Sequence, residues 1–189
     1  MSKVIYENTL ETENSIKDFV LEGEAAISFD RRIMTISSSG ESVLWCTKTM
    51  PADIRIDWEF RPLVDDGSAE LHFAAKNSGQ MEEFLLSYYK RFTEEYRQFH
   101  TCALYKNSWD NLVYRGADPL PAGSDDVLWY QMSVVKRASD VFFGINNMEV
   151  LHFHDDGISQ GELLTGGNIG FGQFKGSVAQ YRNLKVTWI

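Results

Sequence analysis

Between Ser87 and Lys106 the chain gathers Tyr88, Tyr89, Lys90, Arg91, Arg97, His100, Tyr105 and Lys106. These types match what an acidic sugar asks of a protein: arginine forks for a carboxylate, aromatic faces for a ring, and a Tyr or His to move a proton. Arg91, Arg97, Tyr105 and Lys106 are therefore candidate substrate-binding residues, and His100 or Tyr88 is the candidate proton shuttle. A mixed surface segment would carry the same residue types, and strand alternation turns about half of them away from any one groove. Gln173 joins the binding candidates from the glycine-rich "TGGNIGFGQF". That stretch lacks the lysine and following helix of a phosphate loop, and its glycines suit close approach within a sheet.

Other chemistry is less well supplied. Cys102 lies two residues after His100, but a Cys-His nucleophile needs a stabilised thiolate and oxyanion donors that the sequence does not identify, so the cysteine reads as packing. Zinc needs three or four ligands, and the histidines are scattered singly except in "HFH", where His152 and His154 face one way and could hold a metal with Asp155. "DDG" at Asp155 to Gly157 reads first as a tight turn. Calcium is its alternative, although calcium wants six to eight oxygens. No cofactor is expected beyond such a structural calcium. Arg55, Asp57 and Glu59 alternate along "ADIRIDWEF" like the acidic strand of a sandwich glycosidase, but an arginine cannot be a nucleophile. Alternating charges are also the ordinary content of a solvated sheet face.

The elements that must position these residues are strands. "ADIRIDWEF" sets Ile54, Ile56, Trp58 and Phe60 against Asp53, Arg55, Asp57 and Glu59 with period two. "YQMSVVKRASDVFFGINNMEVLHFH" reads as three strands joined by two tight turns, the second at Asn146-Asn147. "AAISFD", "IMTISS" and "SVLWC" form an early cluster, and "GNIGFGQF" and "AQYRNLKVTW" supply two late strands. Many short strands with close turn signals predict a sandwich or barrel. One segment disagrees: from Met81 to Tyr96 the apolar residues recur at helical spacing.

With 189 residues, 43% of them hydrophobic, the chain fits one domain, residues 1–189. The formal charge of -9 argues against a nucleic-acid partner, because phosphate contacts need a concentrated basic surface. No apolar run approaches the ~20 residues of a membrane span, and the first residues are polar and acidic. A cytoplasmic protein without membrane contact is expected. Its two cysteines do not make a disulfide scaffold, although one bond between Cys46 and Cys102 is an alternative to free thiols.

Several stretches resemble a known family. They are "WC" at Trp45 and Cys46, "WEFRP" at Trp58 to Pro62, "SYYKR" at Ser87 to Arg91, "FHTCALYK" at Phe99 to Lys106, "GADPLP" at Gly116 to Pro121, "DDG", and "LLTGGNIGFGQF" at Leu163 to Phe174. In this order, over nearly the whole chain, they resemble the YesU-like proteins of bacterial loci that use rhamnogalacturonan and related plant polysaccharides. The resemblance implies an all-β, concanavalin A-like jelly-roll sandwich of two antiparallel sheets with one concave face. It also implies that "LLSYYKR" is a strand, and we adopt the strand over the helix. The chain is shorter than these relatives just before Met81, where their loop would rim the cleft. Sandwich-fold polysaccharide lyases use the residue types gathered between Ser87 and Lys106. The resulting expectation is a concave face that binds an acidic plant oligosaccharide and processes it by β-elimination or hydrolysis, with "FHTCALYK" as one wall and "GADPLP" as the rim. The alternatives are a non-catalytic sugar-binding module and a protein-interaction sandwich domain, since one fold hosts many functions.

Overall fold

Period-two patterning carries through to the structure. The computed structural model describes residues 2–64, 66–76, 83–91, 101–108, 110–117 and 129–189, with the backbone alone at 66, 67, 87–91, 101, 116 and 117. The described strands are β1 (Lys3–Asn8), β2 (Phe19–Asp30), β3 (Ile33–Cys46), β4 (Ile54–Pro62), β5 (Asp66–Ala75), β6 (Phe84–Arg91), β7 (Thr101–Lys106), β8 (Leu112–Ala117), β9 (Tyr130–Arg137), β10 (Asp140–Ile145), β11 (Met148–His154), β12 (Asn168–Gln173) and β13 (Val178–Trp188). One turn of 3-10 helix, Glu13–Ile16, begins at a Thr12/Ser15 capping box. In β4 the residues Ile54, Ile56, Trp58 and Phe60 are buried and their neighbours are not, as the alternation predicts.

The strands pair in the order β11-β10-β9-β4-β13-β3-β12-β5-β6-β7-β8, every pair antiparallel. This ladder folds over on β3. Met34 to Ser37 pair with β13, whereas Ser42 to Trp45 pair with β12, so the stretch between them carries one strand from the first sheet into the second. β2 follows β3 along both halves, and β1 pairs with the far half of β13. The result is the expected jelly-roll sandwich. Its core joins the two sheets through Trp58 and Phe171 (6.2 Å between ring centroids) and Phe171 and Tyr181 (4.7 Å), with Phe60 packed on Tyr181 (5.5 Å) from the neighbouring strand of the first sheet. Full burial of such side chains contributes ~1.5–3 kcal/mol each.

Two local readings change. "IMTISS" and "SVLWC" are one strand, because the intervening serines and glycine bend β3 between the sheets without ending it. The helical spacing after Met81 belongs, over its described part, to strand β6. Phe84, Leu85 and Leu86 are all buried, so both faces of this strand are covered and its apolar residues lose their alternation. Met81 and residues 92–96 of that reading lie outside the described residues.

Turn chemistry follows the sequence more closely. Asn146 and Asn147 have φ of 51° and 64°, closing the β10–β11 hairpin in two residues. Between β12 and β13, Gly176 takes φ 86°, with open space where a Cβ would stand. Replacing Gly176 with alanine should thus cost about 1 kcal/mol, the left-handed backbone penalty alone, read from a denaturant midpoint shifted at constant slope. Cys46 and Cys102 are both buried, and no disulfide joins them. Among the described residues, no helix is long and apolar enough to cross a membrane.

Candidate functional site on the concave face

In β5, Leu71 and Phe73 point into the core, so alternation turns Glu70 and His72 outward. Outward polar residues on a sandwich are normally exposed. Here Glu70 is 6% and His72 5% exposed. Neighbouring outward residues share this burial: Trp45 of β3, Leu85 of β6 and Ala103 of β7 are all covered. On the first sheet, by contrast, outward Arg55 and Gln131 are exposed and Asp57 and Glu59 are half-buried. Burial on both sides therefore marks the second sheet as the one whose outer face is covered.

A charged cluster is buried on this covered face. Nδ1 of His72 lies 3.0 Å from Oε2 of Glu83, which immediately precedes β6, and Nε2 lies 3.6 Å from Oε2 of Glu70. The Ser68 hydroxyl donates to Oε1 of Glu70 at 3.2 Å. Burial alone would lower the His72 pKa, but the carboxylates of Glu70 and Glu83 outweigh it and push the value up to about 9. The imidazole is thus a cation at neutral pH. Burial raises the Glu70 pKa, with His72 and Ser68 opposing.

An aromatic plate adjoins the cluster. The Trp45 ring is centred 5.1 Å from that of His72, tilted by 59°, and its Nε1 donates to Oε2 of Glu22 at 2.8 Å. Beside Trp45 a hollow of about 430 Å³ is lined by Val20, Glu22, Thr47 and Asn168 among others. Gly170 and Gly172 of β12 let these side chains lie down on the sheet. A Cβ at Gly170 would stand 2.8 Å from the Trp45 ring, and one at Gly172 would stand 2.7 Å from Nε2 of His72 and 2.9 Å from Oε2 of Glu70. The glycine-rich stretch does serve close approach, as its composition implied.

The residues proposed from sequence fare unequally. Tyr105 is half-buried and alternates with inward Cys102 and Leu104, in register with Leu85, which places it on the outer face of the second sheet. The backbones of Tyr88 and Arg91 lie in β6, Tyr88 pairing with Ala69 and Cys102 and Arg91 with Asp66, while their side chains are not described. His100 and Arg97 lie outside the described residues, as does most of "GADPLP". Lys106 and Gln173 require correction. Lys106 is 0% exposed and forms an ion pair with Asp155 at 2.7 Å, closed off from any groove. Gln173 alternates with Ile169 and Phe171 on the inward side of β12 and meets the Tyr181 hydroxyl at 3.0 Å. With its amide oxygen accepting from Tyr181, its nitrogen donates to the carbonyls of Ile36 and Ser177. Both are polar supports of the interior, out of reach of a sugar.

The metal readings do not find their ligands together. His152 and His154 both approach Oδ1 of Asp140, at 2.9 and 3.1 Å, while Asp155 is taken by Lys106. Among the described residues, no group of three or more His, Cys, Asp or Glu is arranged to hold a metal ion. "DDG" is a turn: Oδ1 of Asp155 accepts from the Gly157 amide at 3.1 Å, and Gly157 has φ 67°. Asp57 is held by Arg55 at 2.7 Å and Glu59 by Arg182 at 2.6 Å, on the opposite face of the sandwich from His72. Sequence reading passed over Glu70, His72, Glu83 and Trp45 as parts of one site. The available signal was "SAELHF", in which Glu and His alternate with Leu and Phe.

Relatives agree with this architecture. The model of DUF1961, a domain of unknown function, matches residues 3–80 and 76–186. The chain belongs to the DUF1961 family. Within reach of that family, the uncharacterised protein YesU of Bacillus subtilis (strain 168) is 34% identical over 207 residues, covering 96% of this chain and 94% of the relative. That alignment is longer than the 189-residue chain, so YesU carries inserted residues, and the two DUF1961 matches meet at 76–80, where the sequence had suggested a shortened loop. A crystal structure of a Bacillus subtilis protein of unknown function with a galectin-like fold superposes with a TM-score of 0.87 at 33% identity, covering 98% of this chain and 97% of that one. The carbohydrate-binding module CBM66 from Bacillus subtilis superposes with a TM-score of 0.65 at 12% identity over 88% of this chain and 93% of its own, a likeness of fold alone. The DUF1961 chain thus has the galectin-like sandwich.

Proposed function

We propose that this protein binds an oligosaccharide on its concave face, at the site formed by Trp45, Glu70, His72 and Glu83. The observation that carries the reading is a charged cluster buried on the outer side of a sheet beside an aromatic plate. Sugars ask for this combination, because ring faces lie on aromatics and hydroxyls bond to fixed carboxylates. The fold shared with a carbohydrate-binding module supports the same reading.

Binding is favoured over processing. His72, whose ring is centred 5.1 Å from that of Trp45, is flanked by two carboxylates and held protonated at neutral pH, which unsuits it as a general base. Calorimetry with a panel of oligosaccharides, followed by mass spectrometry of the recovered sugars, tests the proposal. The expected result is at least one ligand bound and returned intact. An unsaturated or hydrolysed fragment would replace the binding reading with an enzymatic one. Truncating Trp45 to alanine should weaken binding about tenfold, equivalent to ~1.4 kcal/mol, whereas Trp45→Phe should retain most of it. Equal affinity in all three proteins would remove Trp45 from the site.

A further inference from the structure

Resting on the binding reading above, we infer that the sugar recognised at this site is neutral, and that one of its hydroxyls seats between His72 and Glu70. Among the described residues, Nε2 of His72 is buried without a hydrogen-bond partner. Oε2 of Glu70, its ion-pair partner, is 3.6 Å away, too far for a hydrogen bond. A buried polar atom left in this state is costly, and a ligand that satisfies it gains accordingly.

The chemistry of the gap selects its occupant. The protonated imidazole offers a donor at Nε2, and the Glu70 carboxylate offers an acceptor. A hydroxyl accepts from the first and donates to the second. A sugar carboxylate could accept from His72 but could not donate to Glu70. It would also meet Glu83 on the far side of the ring and Glu22 beyond Trp45, so that among the described residues three carboxylates are set against one imidazolium. An amine would bond Glu70 but face the cation of His72. Gly172 leaves the gap open, since a Cβ there would crowd both Nε2 and Oε2.

This preference is opposite to the acidic sugar expected from the arginines between Ser87 and Lys106. The test is calorimetry of the full chain, at pH 7 and fixed salt, with two matched series: neutral hexose oligosaccharides and the corresponding hexuronates. The neutral member of a matched pair should bind at least tenfold more tightly. Glu70→Gln, which keeps the shape and removes the charge, should weaken neutral-sugar binding and narrow the gap between the series, with an unchanged circular dichroism spectrum as the folding control. Tighter binding of the uronates would overturn the inference and leave the binding site standing. Binding of neither series would overturn the binding proposal itself, and this inference with it.

Discussion

Replacing Lys106 with alanine is expected to cost about 3–5 kcal/mol of folding stability, although a lysine is ordinarily among the most replaceable residues. Nζ of Lys106 is 2.7 Å from Oδ2 of Asp155 and donates to the Gly161 carbonyl at 3.0 Å. The same cation lies 5.9 Å from the centre of the Phe84 ring. Asp155 is only 2% exposed, so losing the lysine strands a carboxylate away from water. Its Oδ1 also anchors the turn at Gly157, which spreads the damage into the loop after β11. A double replacement, Lys106→Met with Asp155→Leu, removes both charges and should recover much of the loss. Denaturant unfolding of the three variants at pH 7 measures this. A single-variant loss below about 0.5 kcal/mol would mean that the pair is solvated in solution, as surface pairs are.

The second large effect is a loss of stability on the alkaline side. His72 has its folded pKa raised to about 9 from an ordinary value of 6.5. A group raised on folding contributes stability that is complete below its unfolded pKa and disappears as pH rises through the folded one. The contribution should therefore be present at pH 6 and largely gone by pH 9.5, a fall on the order of 3 kcal/mol. Burial also raises the Glu70 carboxyl, whose contribution has the same sign but begins to fade above the ordinary carboxylate range. Above pH 9 the buried thiol of Cys46 and the phenol of Tyr6, the latter pushed up to about 12, add further losses, so the informative window is pH 6.5 to 9. Unfolding free energies across that window should slope downward for the native protein and flatten for His72→Gln. Direct titration of the His72 imidazole by NMR provides the independent check. A midpoint near 6.5 would show that the two glutamates do not hold the proton.

The strand pattern was legible because one-sided burial writes itself into the sequence as alternation, as Ile54 to Phe60 illustrate. It became ambiguous where burial is two-sided. Phe84, Leu85 and Leu86 are consecutive apolar residues because one face of β6 meets the core and the other is covered from outside. The same cause hid the site. Glu70 and His72 look like an exposed polar face until the structure shows that this face is covered, and Glu83 joins them only through the pairing of β5 with β6. Lys106 and Gln173 misled for the converse reason. Polar side chains suggest a surface, but these two satisfy their hydrogen bonds inside, Lys106 with Asp155 and Gly161 of the loop after β11 and Gln173 with Tyr181 of the facing sheet.

The position of β13 bears on how the molecule is made. This strand comes last among the thirteen yet lies between β3 and β4, and it also carries β1. During synthesis, β3 and β4 emerge with the edges meant for β13 unfilled, and more than a hundred residues must follow before it arrives. Long-range pairing of this kind is slow, and open strand edges attract other chains in the interval. Until β13 inserts, the first sheet has no centre, so its outer strands and the hairpin of β10 and β11 join the rest of the sandwich only once β13 has been made. Expression yield should consequently depend on temperature and chaperone supply more steeply than the stability of the finished sandwich would suggest.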